Sequence, residues 1–167
     1  MLTAEEIIAH LKPTPLQVEG GHFREMYRSK LTVSAPELPP VYTGARNLAT
    51  FIYYLLTPGE YSAIHRLPSD EIFHFYLGDP VQMLQLHPDG RGEVIMIGND
   101  LAQNMTPQVL APGGVWQGAR LAPGGRLALM GTTVIPGFDF RDFTLGARDE
   151  LGHQYPDFIE WILNLTA

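Results

Sequence analysis

A histidine and a glutamate six residues apart, each inside a short apolar run, are the residues of this chain best suited to chemistry. His65 closes Tyr61-Ser-Ala-Ile-His65, Glu71 opens Glu71-Ile-Phe-His-Phe75, and Leu67-Pro68-Ser69-Asp70 forms a tight corner between them. Two strands joined by such a corner set the imidazole beside the carboxylate. A carboxylate there orients the ring and raises its basicity, giving a general base or acid in an apolar cavity. The plainer use of the pair is a structural hydrogen bond between two strands, since a buried glutamate is costly unless paired. Strand alternation puts Tyr61 and Ala63 on the face of His65, and Phe73 and Phe75 on the face of Glu71. His74 then falls on the opposite face.

The elements that must hold this pair read as strands. Leu48–Thr57, Tyr61–Arg66, Glu71–Leu77, Val81–His87 and Glu93–Ile97 are apolar or alternating runs bounded by Pro, Gly or Asp. Pro88-Asp89-Gly90 is the turn of a hairpin. Gln108–Leu110, Val115–Leu121, Arg126–Ile135 and Asp142–Leu145 are further strands. Leu16–Lys30 reads as extended around a Gly20-Gly21 turn, and Ser34–Gly44, with its prolines, as a surface loop. Thr3-Ala-Glu-Glu6 is a capping box that starts a short helix, ended by Pro13 and Pro15. Phe158, Trp161, Ile162 and Leu165 recur at helical spacing, so an amphipathic helix runs from Asp157. The expected fold class is all-β, a sandwich or jelly-roll barrel with short terminal helices.

Composition agrees and narrows the function. The chain is 45% hydrophobic and 17% charged, with 17 Gly and 14 Pro scattered as turn punctuation. Its 167 residues are expected to form a single domain over 1–167. A net charge of −7 leaves no basic surface for nucleic acid. With no cysteine there is neither a disulfide nor a thiolate ligand or nucleophile. No apolar run is long enough to span a membrane and no signal peptide is visible, so the expected location is cytoplasmic.

The spacing Gly59-x5-His65-x5-Glu71-x6-Gly78 resembles the first signature of the cupin superfamily, with Leu67 where a second histidine is usual. Pro112-Gly113-Gly114-Val115-Trp116-Gln117 resembles part of the second, with Gln117 at the usual histidine, Thr106 at a glycine and Leu121 at an asparagine. Gly21-His-Phe-Arg-Glu-Met-Tyr-Arg-Ser29, Tyr54-Leu-Leu-Thr-Pro-Gly-Glu60, His74-Phe-Tyr76 and Pro136-Gly-Phe-Asp-Phe140 extend the likeness. Together, from about Ile7 to Tyr155, they look like the cupin branch labelled a domain of unknown function. The resemblance implies a cupin jelly-roll β-barrel, usually a homodimer, with a cavity for a small molecule.

Cupin signature residues usually bind a metal, but catalytic metal sites generally have three protein ligands and an open position. His65 and Glu71 are sound ligands, Gln117 a weak one and Leu67 none. The expectation is therefore no cofactor, with a weakly held divalent transition metal on His65, Glu71 and Gln117 as the exception. The leading reading is a metal-free isomerase or epimerase, by analogy with the metal-free sugar-epimerase cupins. His65 would be the base, Glu71 would orient it, and Gln117 or an arginine such as Arg24 would bind a substrate oxygen. Phe73, Phe75, Tyr53 and Trp116 are candidate pocket walls, although aromatic residues more often fill a core. The alternatives are a non-catalytic binding protein and an oxygenase-like metal cupin using His65, Glu71 and Gln117 or His74.

Overall fold

The computed structural model describes residues 2–166. Thr3 caps α1 (Ala4–Leu11) with the reciprocal bonds of a capping box: its Oγ1 accepts from Glu6 N at 3.2 Å, and Glu6 Oε2 accepts from Thr3 N at 2.8 Å. The strands that follow are β1 (Thr14–Pro15), β2 (His22–Arg28), β3 (Thr32–Val33), β4 (Arg46–Asn47), β5 (Thr50–Leu56), β6 (Tyr61–Arg66) and β7 (Asp70–Gly78). Next come β8 (Val81–Leu86), β9 (Gly92–Ile97), β10 (Gln108–Ala111), β11 (Trp116–Leu121), β12 (Ala128–Ile135) and β13 (Thr144–Leu145). The chain ends in α2 (Arg148–Gln154) and α3 (Ile159–Asn164). Sheet pairing is antiparallel, in a six-stranded sheet β1-β2-β5-β12-β7-β10 and a five-stranded sheet β13-β6-β11-β8-β9. This is the all-β jelly roll expected from the sequence.

Alternation sorts the side chains. On β8, Val81 and Met83 join the interior cluster of Tyr54, Phe73, Ile97 and Met130, while Leu84 and Leu86 face outward. That outer face is covered by Leu151, Tyr155, Ile162 and Leu165 of the C-terminal helical segment. α1 seats Ile7 on Leu55, Leu127 and Leu129, covering part of the other sheet. The helix expected from Asp157 is split into a 3-10 turn, Pro156–Phe158, and α3. α2 escapes sequence reading because its turns are mostly polar and present only Leu151 as a buried anchor.

Two β-bulges depart from alternation in a way that matters for the interior. Gln117 pairs with His65 but Ala119 pairs with Ser62, so β6 carries one extra residue. Ser62 and His65, three apart, therefore both turn inward, while Ile64 joins the helical cluster. Tyr61 packs on that outer cluster too, correcting the expectation that it shares the face of His65. In β2, Glu25 pairs with Ile52 and Tyr27 with Phe51, another extra residue that brings Glu25 and Arg28 to one side.

Candidate functional site

His65, Glu71 and Leu67 lie on the wall of a cavity of about 330 Å3 at one end of the barrel. This is at the small end of the usual range for ligand pockets. The corner joining β6 to β7 is held by the second signature: Gly114 N donates to Leu67 O at 2.7 Å, and Gly113 N to Asp70 Oδ1 at 2.8 Å. A Cβ at Gly113 would lie 2.2 Å from Pro68 O, so only glycine permits this approach. The two signature halves thus buttress each other and fix the pair.

His65 Nδ1 is 2.8 Å from the carbonyl oxygen of Ala63, which can only accept, so Nδ1 carries a proton. Nε2 faces Glu71 Oε2 at 3.8 Å, and the ring stacks on Phe143 with centroids 4.9 Å apart. Both side chains are buried. Burial alone disfavours the imidazolium, but the nearby carboxylates of Glu19 and Glu71 and the Ala63 carbonyl outweigh it and raise the His65 pKa to about 9. The surroundings therefore favour the imidazolium over the neutral ring. Gln117 Nε2 donates to Glu71 Oε2 at 2.7 Å, leaving its own buried Oε1 without a partner.

Glu19 is a second carboxylate that the sequence reading missed. It lines the cavity, and its Oε1 accepts from Ser62 Oγ at 2.6 Å. Its pKa is raised chiefly by burial, with His65 acting against that and Glu71 adding to it. No motif marks it; it comes from the turn before β2, and only the β6 bulge makes Ser62 available to it. Phe138, Phe140 and Phe143 form an aromatic wall from the segment after β12, and the Pro136–Phe140 block was the visible sign of that wall. Arg28 and Asp139 also reach the cavity, but both are paired. Arg28 forks onto Glu25 at 3.1 and 2.7 Å, and Arg141 onto Asp139 at 3.0 and 2.6 Å.

Several expected site residues lie elsewhere. Phe73 and Phe75 belong to the apolar core rather than the cavity wall, because their inward positions meet Met83 and Met130 at the other end of the barrel. Tyr53 is on the outer face, edge-on to Tyr76 at 6.0 Å, since Ile52 takes the inward position beside it. Trp116 also faces outward, beneath the Arg66 guanidinium at 4.4 Å, because the adjacent Gln117 points in. Arg24 is exposed and donates to Leu11 O at 2.6 Å. His74 is on the outer face, bonded to Thr133 and Gln108 as alternation requires.

The donor set does not fit the metal that cupin signatures usually bind. Gln117 turns its amide nitrogen rather than its oxygen to Glu71, and Leu67 offers nothing. Among the described residues no group of three or more His, Cys, Asp or Glu side chains is placed to hold a metal ion. No helix among them is long and apolar enough to cross a membrane.

Comparison with known proteins places the fold and site in a family. The model of the family described as "Cupin superfamily (DUF985)" matches residues 5–146. An uncharacterized protein of Saccharomyces cerevisiae is 34% identical over 146 residues, 81% of this chain and 72% of that protein. A crystal structure of a Shewanella oneidensis protein superposes with a TM-score of 0.88 at 33% identity, covering 100% of this chain and 99% of the other. A hypothetical protein from Leishmania major gives 0.86 at 30% identity over 99% of each. A barrel whose two signature halves meet at the corner beside His65 and Glu71, matched over most of its length, belongs to the DUF985 branch of the cupin superfamily.

Proposed function

We propose that this chain binds a small carbonyl-bearing molecule in the cavity and moves a proton on it, as an isomerase or epimerase that needs no metal. The observation that carries the reading is the buried His65 ring, its Nε2 facing Glu71, on a cavity wall that Glu19 shares, with both carboxylates favouring the imidazolium. A cation donating from Nε2 suits a carbonyl oxygen that gains negative charge, and a carboxylate suits removal of the proton on the adjacent carbon. The roles are thus reversed from the sequence expectation. Glu71 acts as base and His65 as hydrogen-bond donor, with Gln117 fixing the carboxylate.

The test is deuterium exchange in D2O, followed by proton NMR on a panel of neutral hydroxy-ketones and hydroxy-aldehydes. Exchange next to the carbonyl is expected. It should drop by at least about 100-fold in Glu71→Gln, the usual scale for losing a general base, with the fold retained. Binding without exchange across the panel would instead leave a non-catalytic carrier of the same ligand.

The same reading includes a homodimer formed through the outer face of the six-stranded sheet. Met26, Tyr27, Phe51, Tyr76 and Leu110 stand exposed there, an apolar grouping of the sort that marks protein–protein contact. Light scattering on the eluting protein should give twice the chain mass, and Phe51→Glu should shift it to one chain mass. A wild-type monomer at micromolar concentration would rule the dimer out.

A further inference from the structure

We infer that the cavity selects an uncharged or cationic ligand with a flat apolar body over an anionic one, and that Glu19 sets this preference. The inference takes from the preceding reading only that this cavity is the ligand site.

Charge on the wall supports it. Arg28 has no fork to offer an acid: Nε and Nη2 are on Glu25, and Nη1 donates to Asn47 Oδ1 at 3.0 Å and Phe138 O at 2.9 Å. A carboxylate or phosphate is usually held by two parallel guanidinium donors, and here both are taken. Asp139 is likewise neutralised by Arg141. With these pairs set aside, the interior presents one imidazolium to two carboxylates, Glu19 and Glu71. An entering anion adds a third negative charge in a poorly solvated space. Phe138, Phe140 and Phe143, with Phe23 from β2, line the cavity, and a cation set over such a ring is attracted by its quadrupole where an anion is not.

Glu19 is built into this position. Its backbone oxygen accepts from Ala63 N at 2.7 Å, its carboxylate from Ser62, and the next carbonyl, Gly20 O, from Tyr54 OH at 2.9 Å. Gly20 has φ +100°, and a Cβ there would come within 2.2 Å of Tyr61 O, so the turn that aims Glu19 is specific. Burial raises the Glu19 pKa.

The test uses probes that share one aromatic body: phenethylamine, phenethyl alcohol and phenylacetate. Each is titrated into the full chain near neutral pH and followed by calorimetry and NMR. The amine and alcohol should bind at least about ten-fold more tightly than the acid, a factor equal to about 1.4 kcal/mol. Glu19→Gln keeps an oxygen for Ser62. It should lower the amine-to-acid preference by about ten-fold or more, hold alcohol binding, and leave the thermal midpoint nearly unchanged. Phenylacetate binding as tightly as the alcohol, an unchanged preference in Glu19→Gln, or no binding by any probe would each overturn the inference. Failure of the proton-transfer reading is separate. Binding of amine and alcohol with no deuterium exchange on any carbonyl compound sinks that reading alone. Exchange confined to anionic substrates sinks this one alone.

Discussion

Asp142→Ala should unfold this protein far more easily, by about 3–5 kcal/mol, the usual cost of leaving a buried charge unpaired. Its partner Arg46 is 2% exposed and binds both Asp142 oxygens, with Nε to Oδ2 at 2.6 Å. The same guanidinium donates to Gly44 O and Ala45 O and lies 5.5 Å from the ring centroid of Tyr42. Tyr42 in turn bonds Ser69 in the corner before Glu71. Losing the carboxylate strands a cation that cannot reach water. In a chain of this size the melting temperature should fall by roughly 10–15 °C. Pairing Asp142→Leu with Arg46→Met removes both charges and should recover most of the loss, because apolar replacement of a buried pair is often neutral. Denaturant titration of the single and double variants measures both effects. A loss below about 1 kcal/mol in the single variant would mean that Arg46 has the worth of a surface pair. Asp142 directly precedes Phe143, the ring stacked on His65, so the same substitution should also loosen the cover of the imidazole.

Stability should fall as pH rises from neutral to mildly alkaline, and His65 should be the cause. Its pKa in the folded chain is about 9, against an ordinary 6.5. A raised basic group gives stability that is fully present below 6.5 and is lost as pH climbs through about 9. The span corresponds to about 3 kcal/mol as an order of magnitude. Glu19, also raised, contributes in the same direction at lower pH, since it must ionise in a buried place as pH rises past the ordinary glutamate range. Urea titrations across this range should show the decline, and His65→Gln should flatten it above neutrality. A decline of equal size in that variant would assign the effect to another group. NMR titration of the His65 ring gives the value directly.

Much of the barrel is legible in the chain, and the reasons are local. Pro88-Asp89-Gly90 marks the β8–β9 hairpin, and Thr3 with Glu6 marks the start of α1, because turn and cap chemistry is short-range. His65 and Glu71 fall together because the corner between their strands is short. The wall residues were harder. Tyr53 and Trp116 are aromatic and central, and only the register of β5 and β11 shows that both point out of the barrel. Glu19 is the opposite case. It looks like an ordinary polar residue before a glycine turn, and its role depends on a fold that brings residue 62 to residue 19. The proposed exchange of roles between His65 and Glu71 has no sign in the sequence for the same reason, since it rests on a second carboxylate contributed by a distant segment.

The extra residue in β6 makes the location of the site a matter of counting. Without the bulge, strict alternation would put Ser62 and His65, three apart, on opposite faces, so the chain could keep one of them indoors but not both. If Ser62 stays, the imidazole exchanges places with a residue meant for the helices; if His65 stays, Glu19 loses its hydroxyl donor. Relatives whose β6 runs straight through these same positions would therefore not share the site, however well their barrels overlay. Relatives that keep the bulge could keep it through wide change elsewhere.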